Sequence, residues 1–335
     1  LNSRELITRV IEFDRPARIG WDFGGGPSDL RGCGVRYDRT ERLEEHRKWG
    51  YHEELLKQVP HFKGLVYEDE WGNIWGRLDG ASKGEVVRGV LEDGFDRLGE
   101  IAFPHFVVED IERLKEARER HADKFLMGGL PGFTFNIMRK MRRMENFLMD
   151  TLLAKDEITK LGAKIESMLA ENISFYCDAG FDAILFGEDW GSQEALLISP
   201  PSWRELFAPS FRRLCGQAHE GGLKVMMHSC GNIAEIIPDL IEVGVDVLQL
   251  DQPGLFGLEY LSQYSGKVTF WSPVDIQKVM PTGNRELIEK TADDMMTYLG
   301  RGGGFIAKDY PQWDVLGVKP EWVKWAKDRF LAHSY

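Results

Sequence analysis

The sequence predicts an α/β protein built as a closed (β/α)8 (TIM) barrel with an irregular N-terminal extension that carries a β-hairpin. Three observations carry that reading. From about residue 106 onward, short apolar segments alternate with amphipathic helical ones, commonly with a glycine just before the strand. Such alternation implies parallel strands, because parallel neighbours need a crossover connection. Polar residues stand at the C-terminal end of nearly every expected strand, as they do when the strands open onto one shared mouth. Finally, no GxGxxG or GxxxxGK[ST] segment follows the first strand, so nothing indicates the ligand crevice of an open doubly wound sheet.

Taken in order, residues 3–13 read as a short helix with Ser3 as its cap and Glu5 behind it. Residues 18–23 read as a strand running into Gly24-Gly25-Gly26-Pro27, a loop that needs backbone freedom. Residues 28–62 show no clear period and are expected to wrap an end of the core. Residues 63–77 alternate on both sides of Trp71-Gly72-Asn73, the pattern of a β-hairpin, with Glu68-Asp69-Glu70 as a solvated turn. Residues 85–91 offer a further strand. Residues 109–121 form an amphipathic helix with Asp110 and Glu112 early and Arg118 and Arg120 late, as the helix dipole favours. Strands are then expected over 124–130, 181–186, 224–227, 245–250, 268–271 and 304–307. Helices separate them over about 135–149, 155–179, 201–221, 233–244 and 284–299, and a last one opens at Pro320. With residues 18–23 this makes seven strands, and an eighth is expected in the N-terminal third. Residues 1–105 are thus the irregular part and 106–335 the regular series, with no linker between them, so 1–335 reads as one domain.

The totals narrow the function. With 43% hydrophobic residues in 335, the chain can fill one large core. Asp and Glu outnumber Lys and Arg by 54 to 42, and a net charge of -12 disfavours nucleic-acid and anionic-membrane partners. Cys33, Cys177, Cys215 and Cys230 form no close-spaced framework and read as reduced thiols. No run spans a bilayer and no signal peptide opens the sequence, so a cytoplasmic protein is expected. The numbering starts at Leu1 rather than Met, which leaves room for a preceding segment.

Chemistry concentrates in Lys224-Val225-Met226-Met227-His228-Ser229-Cys230-Gly231-Asn232. Residues two apart on a strand share a face, so His228 and Cys230 can project together. Gly231 allows a sharp turn and Asn232 can cap the helix that follows. The plainer alternative is a hydrogen-bonded His228 beside a small apolar Cys230. In a barrel, Asp22, Glu188, Asp189, His228, Cys230, Gln249, Asp251, Asp275, Lys308 and Asp309 all leave strand ends towards one cavity. Asp189 and Asp275 also stand where helix caps stand. A mixed imidazole and thiolate set suits zinc, which in catalytic sites takes three protein ligands. Cys177 and Cys215 lie in expected helices and Cys33 in an early loop, which leaves Glu188, Asp189, Asp251 or Asp309 to complete it. The candidate metal ligands are therefore His228 and Cys230 with one of Glu188, Asp189, Asp251 or Asp309 as the third. Asp189, Glu188 and Asp22 are the candidate catalytic groups, and Trp21, Trp190, Gln249, Asp251 and Lys308 the candidate substrate contacts.

This segment resembles the uroporphyrinogen decarboxylase-like superfamily, and in particular its corrinoid-dependent methyltransferase branch. So do Gly187-Glu188-Asp189-Trp190-Gly191-Ser192-Gln193, Ile198-Ser199-Pro200, Ile237-Pro238-Asp239-Leu240, Gly302-Gly303-Gly304-Phe305-Ile306 and Asp69-Glu70-Trp71-Gly72. The likeness covers most of residues 60–320. It implies a (β/α)8 barrel, a homodimer, and zinc-assisted methyl transfer between a small methylated substrate and a corrinoid carried by a separate protein. No Asp-x-His-x-x-Gly corrinoid-binding segment occurs in this sequence. In methylcobamide:thiol methyltransferases a later strand-end Cys joins the His-x-Cys pair, and its place falls near Lys308-Asp309, where there is none. Either a carboxylate such as Asp309 or Glu188 substitutes, or the chain resembles the branch that demethylates a small substrate. True decarboxylases carry an arginine-rich N-terminal signature, whereas residues 20–31 hold Trp21-Asp22-Phe23-Gly24-Gly25-Gly26. The family's C-terminal His-Gly element is replaced by Lys308-Asp309-Tyr310-Pro311. Cofactor-free decarboxylation, with Asp22 or Asp189 stabilising a protonated pyrrole, is the alternative. A non-catalytic binder of a methylated or aromatic molecule is the third reading.

Overall fold

A computed structural model describes the chain except for residues 79, 81, 82, 108 and 333–335. Eight parallel strands form one sheet: β1 (Gly20–Asp22), β2 (Leu30–Gly34), β3 (Phe125–Gly129), β4 (Ala183–Gly187), β5 (Lys224–His228), β6 (Val247–Gln249), β7 (Thr269–Ser272) and β8 (Phe305–Lys308). Their order is β1-β8-β7-β6-β5-β4-β3-β2, and the Asp29 amide donates to the Trp21 carbonyl (2.7 Å) across the edge where β1 meets β2. The result is the nearly closed barrel that the alternation predicts.

Side-chain alternation divides the strands into two faces. Leu30, Phe125, Met127, Ala183, Met226, Val247, Trp271 and Ile306 fill the interior. Their neighbours, such as Ile184, Phe186, Val225, Met227 and Leu248, pack outward into the larger core under the helices. The helix Ser3–Ile11 closes the lower end, because Ile7, Val10 and Ile11 recur on one face and join the interior cluster. Its cap is Asn2 rather than Ser3. The Asn2 side chain accepts from the Glu5 amide (2.9 Å) while the Glu5 carboxylate accepts from the Asn2 amide (3.3 Å). Ser3 donates instead to Asp29 (2.8 Å).

Several expected elements change. The eighth strand is β2, inside the stretch without a period. Its inward positions are Leu30, Gly32 and Gly34, so it carries no apolar alternation to read. The helix expected over 135–149 is two, Thr134–Arg142 and Met144–Leu153, broken at Arg143 with φ +61°. That over 201–221 is also two, Pro200–Leu206 and Ala208–Glu220, because Pro209 has no amide to continue the ladder. The hairpin stands as Leu65–Glu68 against Ile74–Arg77, with Glu85–Arg88 as a third strand. Among the described residues, no helix is long and apolar enough to cross a membrane.

The hairpin turn is not solvated as expected, since Asp69 is only 5% exposed. Its carboxylate accepts from the amides of Trp71 (3.0 Å) and Asn73 (2.8 Å), the Asn73 side chain (3.0 Å) and the Trp75 indole (2.7 Å). Each buried donor left without an acceptor costs roughly 1–3 kcal/mol. Asp69→Ala is therefore expected to lower the unfolding free energy in urea by at least about 2 kcal/mol, with Asp69→Asn losing less.

Candidate metal centre

The site begins with the phase of β4 and β5. Ala183, Leu185 and Gly187 point inward, as do Met226 and His228, and Gly187 pairs with His228 across the ladder. Beyond the strand ends the two loops lock together. The Glu188 amide donates to the His228 carbonyl (2.8 Å), and the Asn232 amide to the Ser192 carbonyl (2.7 Å). The backbones touch at Gly191 and Gly231. A Cβ on Gly231 would lie 2.1 Å from the Gly191 carbonyl oxygen, and Gly231 has φ +76°. A Cβ on Gly191 would lie 2.5 Å from the Asn232 nitrogen. Neither position admits a side chain without a shift of backbone. This contact sets Asp189 beside the β5 loop, where the Cys230 amide donates to Asp189 Oδ1 (3.1 Å).

Asp189, His228 and Cys230 form a cluster in which one ligand atom from each lies within 4.8 Å of the others. His228 Nε2 is 3.3 Å from Cys230 Sγ and 3.6 Å from Asp189 Oδ1. Tetrahedral zinc with bonds of about 2.0–2.3 Å separates its ligands by about 3.3–3.6 Å, so His228 Nε2 already stands at that spacing from the other two donors. Hydrogen-bond direction fixes the imidazole. Lys308 donates to Asp251 Oδ1 (3.3 Å), and the Gln249 amide group donates to the same oxygen (2.7 Å). Gln249 therefore turns its carbonyl oxygen to His228 Nδ1 (2.5 Å). Nδ1 carries the proton, and the Nε2 lone pair faces Cys230 and Asp189. Enclosure in the mouth, together with the Asp189 and Asp251 charges, pushes the Cys230 thiol up to about 12. Without a cation it keeps its proton at neutral pH.

The remaining expected residues divide sharply. Glu188, adjacent to Asp189, points outward and is fully buried. Its Oε1 accepts from the amides of Phe133 (2.6 Å) and Asn136 (3.0 Å) at the start of the helix Thr134–Arg142, and burial pushes its carboxyl up to about 8. That helix returns the contact: Asn136 donates to the Gly187 carbonyl (3.1 Å), and Arg139 donates to Asn136 (2.8 Å) and to Asp189 Oδ2 (3.1 Å). Glu188 is thus a clamp behind the cluster, with no place among its donors. Asp309 accepts from the Gly24 amide (3.1 Å) and stands with Asp22 on the β1 and β8 side of the mouth, outside the cluster. Asp22 accepts from Ser28 (2.9 Å), and burial raises its carboxyl. Gln249, Asp251 and Lys308 meet in the chain that holds His228. Trp21 alternates with the inward Gly20 and Asp22, so it lies outside the barrel, with Arg18 3.6 Å over its ring. Trp190 is buried among Phe135 (3.9 Å), Phe207 (4.9 Å) and Trp203 (6.0 Å). Asp275 holds its own loop, accepting from Gln277 (2.9 Å), Lys278 (2.7 Å) and Gly254 (3.1 Å).

Two residues escaped the sequence reading. Arg139 comes from a helix, and a search of strand ends does not reach it. Tyr310 follows Asp309 just beyond the end of β8, with its ring 5.5 Å from that of Trp313, and burial and the Asp251 charge raise its hydroxyl. Beside the cluster, on β2 and β3, the inward positions at the strand ends are glycines. A methyl group on Gly32 or Gly34 would meet nothing within 4 Å, and one on Gly129 nothing closer than 3.8 Å. That half of the mouth is open to a ligand.

The model of the uroporphyrinogen decarboxylase (URO-D) family matches residues 92–308. Among curated proteins, none matches the sequence. Of solved structures, a methyltransferase from Methanosarcina mazei is similar with a TM-score of 0.56 and 14% identity, covering 98% of this chain and 85% of that one. The 3-keto-D-glucoside 4-epimerase of E. coli has a TM-score of 0.38 and 15% identity, over 66% of this chain and 85% of its own. The D-psicose 3-epimerase of Clostridium cellulolyticum H10 has 0.40 and 11%, over 70% and 83%. At 14% identity the methyltransferase likeness speaks for the fold alone. The family match is of another kind: it runs from before β3 through β8, over most of the chain, and takes in Asp189, His228 and Cys230. The chain belongs to the uroporphyrinogen decarboxylase (URO-D) family.

Proposed function

We propose that this member of the family is a methyltransferase that moves a methyl group between a small methylated substrate and a corrinoid carried by a separate protein, with zinc held by Asp189, His228 and Cys230. The observation that carries the reading is the convergence of carboxylate, imidazole and thiol within 4.8 Å at the barrel mouth. One oxygen, one nitrogen and one sulfur donor make a set that borderline-soft zinc accepts, and three protein ligands leave a fourth position for substrate. A zinc ion bound there supplies a Lewis acid, which lowers the pKa of a thiol or hydroxyl or polarises the heteroatom that carries the methyl group. The protein does the rest. Gln249 holds His228 in the tautomer that presents Nε2. Arg139 takes Asp189 Oδ2 and so leaves Oδ1 towards His228. The glycines of β2 and β3 leave space for the substrate. The sequence resemblance supports the corrinoid and its place on a separate protein. A tetra-acidic porphyrinogen suits the mouth less well, because Arg139 and Lys308 are already paired with Asp189 and Asp251.

Protein purified without chelator is expected to hold about one zinc per chain, measured by elemental analysis, and His228→Ala with Cys230→Ser to lose it. Gln249→Ala and Arg139→Ala change partners of ligands rather than ligands, so zinc affinity is expected to fall by about 10–100-fold. Because the thiol is protonated without metal, zinc uptake in weak buffer at neutral pH should release a proton and tighten as pH rises. Methyl transfer is read from the visible spectrum of methylcobalamin mixed with the protein and a small thiol. A change that His228→Ala abolishes supports the reading, and one that persists in His228→Ala contradicts it.

A further inference from the structure

A second cavity, of about 300 Å3, lies beside the metal centre between the N-terminal sheet and the helices Thr134–Arg142 and Met144–Leu153. Trp75, Glu85 and Val86 line it from the sheet, and Arg139, Lys140 and Arg143 from the other side. The two arginines are paired, Arg139 with Asp189 (3.1 Å) and Arg143 with Glu92 (3.4 Å) and Glu145 (3.6 Å). Lys140 is not. Among the described residues its ammonium has no hydrogen-bond acceptor and no carboxylate within 4.0 Å, only the Trp75 ring at 5.8 Å. The charges of Asp69 and Glu70 reach it through space, and Asp69 is already engaged by its turn. Burial and the adjacent Arg139 pull the ammonium below its usual range. A desolvated ammonium beside the Arg139 guanidinium, with no acceptor of its own, is unfavourable until an anion with several acceptor oxygens reaches it. Trp75, fixed by its indole bond to Asp69, offers a flat apolar wall next to that charge.

We propose that this cavity binds a small molecule with an oxyanion group, a carboxylate or phosphate, which Lys140 receives while an apolar body lies against Trp75. The occupant sits one side chain from the metal centre, since Arg139 lines the cavity and also holds Asp189. The site does not need the metal. To test it, the full chain is titrated separately with inorganic phosphate and with benzoate, following heat and tryptophan fluorescence. Saturable binding of at least one probe is expected. Lys140→Met should weaken it by about tenfold or more, the value of a charged hydrogen bond, while Lys140→Arg and the surface control Lys160→Met retain it. Binding of phosphate alone assigns a phosphate group, and of benzoate alone a carboxylate on an aromatic body. His228→Ala, which removes the metal centre, is expected to leave binding intact. The proposal is overturned if neither probe binds at millimolar concentration or if Lys140→Met binds as tightly as the natural chain. It is also overturned if His228→Ala abolishes binding that Lys140→Met keeps, which would place the anion at the metal centre.

Discussion

The contact between Gly191 and Gly231 is the constraint on which the site depends. Two loops leave adjacent parallel strands and touch backbone to backbone, at a distance no side chain permits. Because they touch, the residue two before Gly191 and the residue before Gly231 stand side by side, and the Cys230 amide bonds to Asp189. A donor set drawn from one strand, His228 and Cys230, thereby gains a third member from the next. Everything around it then acts on orientation. The relay from Lys308 through Asp251 and Gln249 turns the imidazole, and Arg139 turns the carboxylate.

Those orienting groups come from very different parts of the chain. Gln249 and Lys308 are strand-end residues of the same barrel. Arg139 belongs to a helix tied down by a buried carboxyl group, that of Glu188, on the reverse side of the strand that supplies Asp189. Neighbours in sequence thus perform opposite tasks, Asp189 facing the mouth and Glu188 anchoring the wall behind it. The same outward layer holds Trp190 among Phe135, Phe207 and Trp203, which gives that wall its bulk.

The barrel was legible because alternation, glycines and polar strand ends are local signals that agree with one another. His228 and Cys230 were legible for the same reason, since a two-residue step on a strand puts both on one face. The choice between Glu188 and Asp189 was not. It depends on the phase of β4 beyond its last ladder bond, and sequence does not reveal where the pleat ends. The family resemblance puts Asp309 near the place of the third cysteine, but its oxygen accepts from the Gly24 amide, whose loop has no period to locate it. Trp21 and Trp190 are aromatics near strand ends, and alternation sends both outward. β2 stayed hidden because glycines occupy its inward positions, and those glycines leave the mouth open.

The most direct measurement is X-ray absorption at the zinc edge of the zinc-loaded chain. The account predicts one sulfur at about 2.3 Å with nitrogen and oxygen neighbours at about 2.0–2.2 Å, and loss of the sulfur shell in Cys230→Ser. A first shell without sulfur, or one that Cys230→Ser and Asp189→Ala leave unchanged, would contradict it.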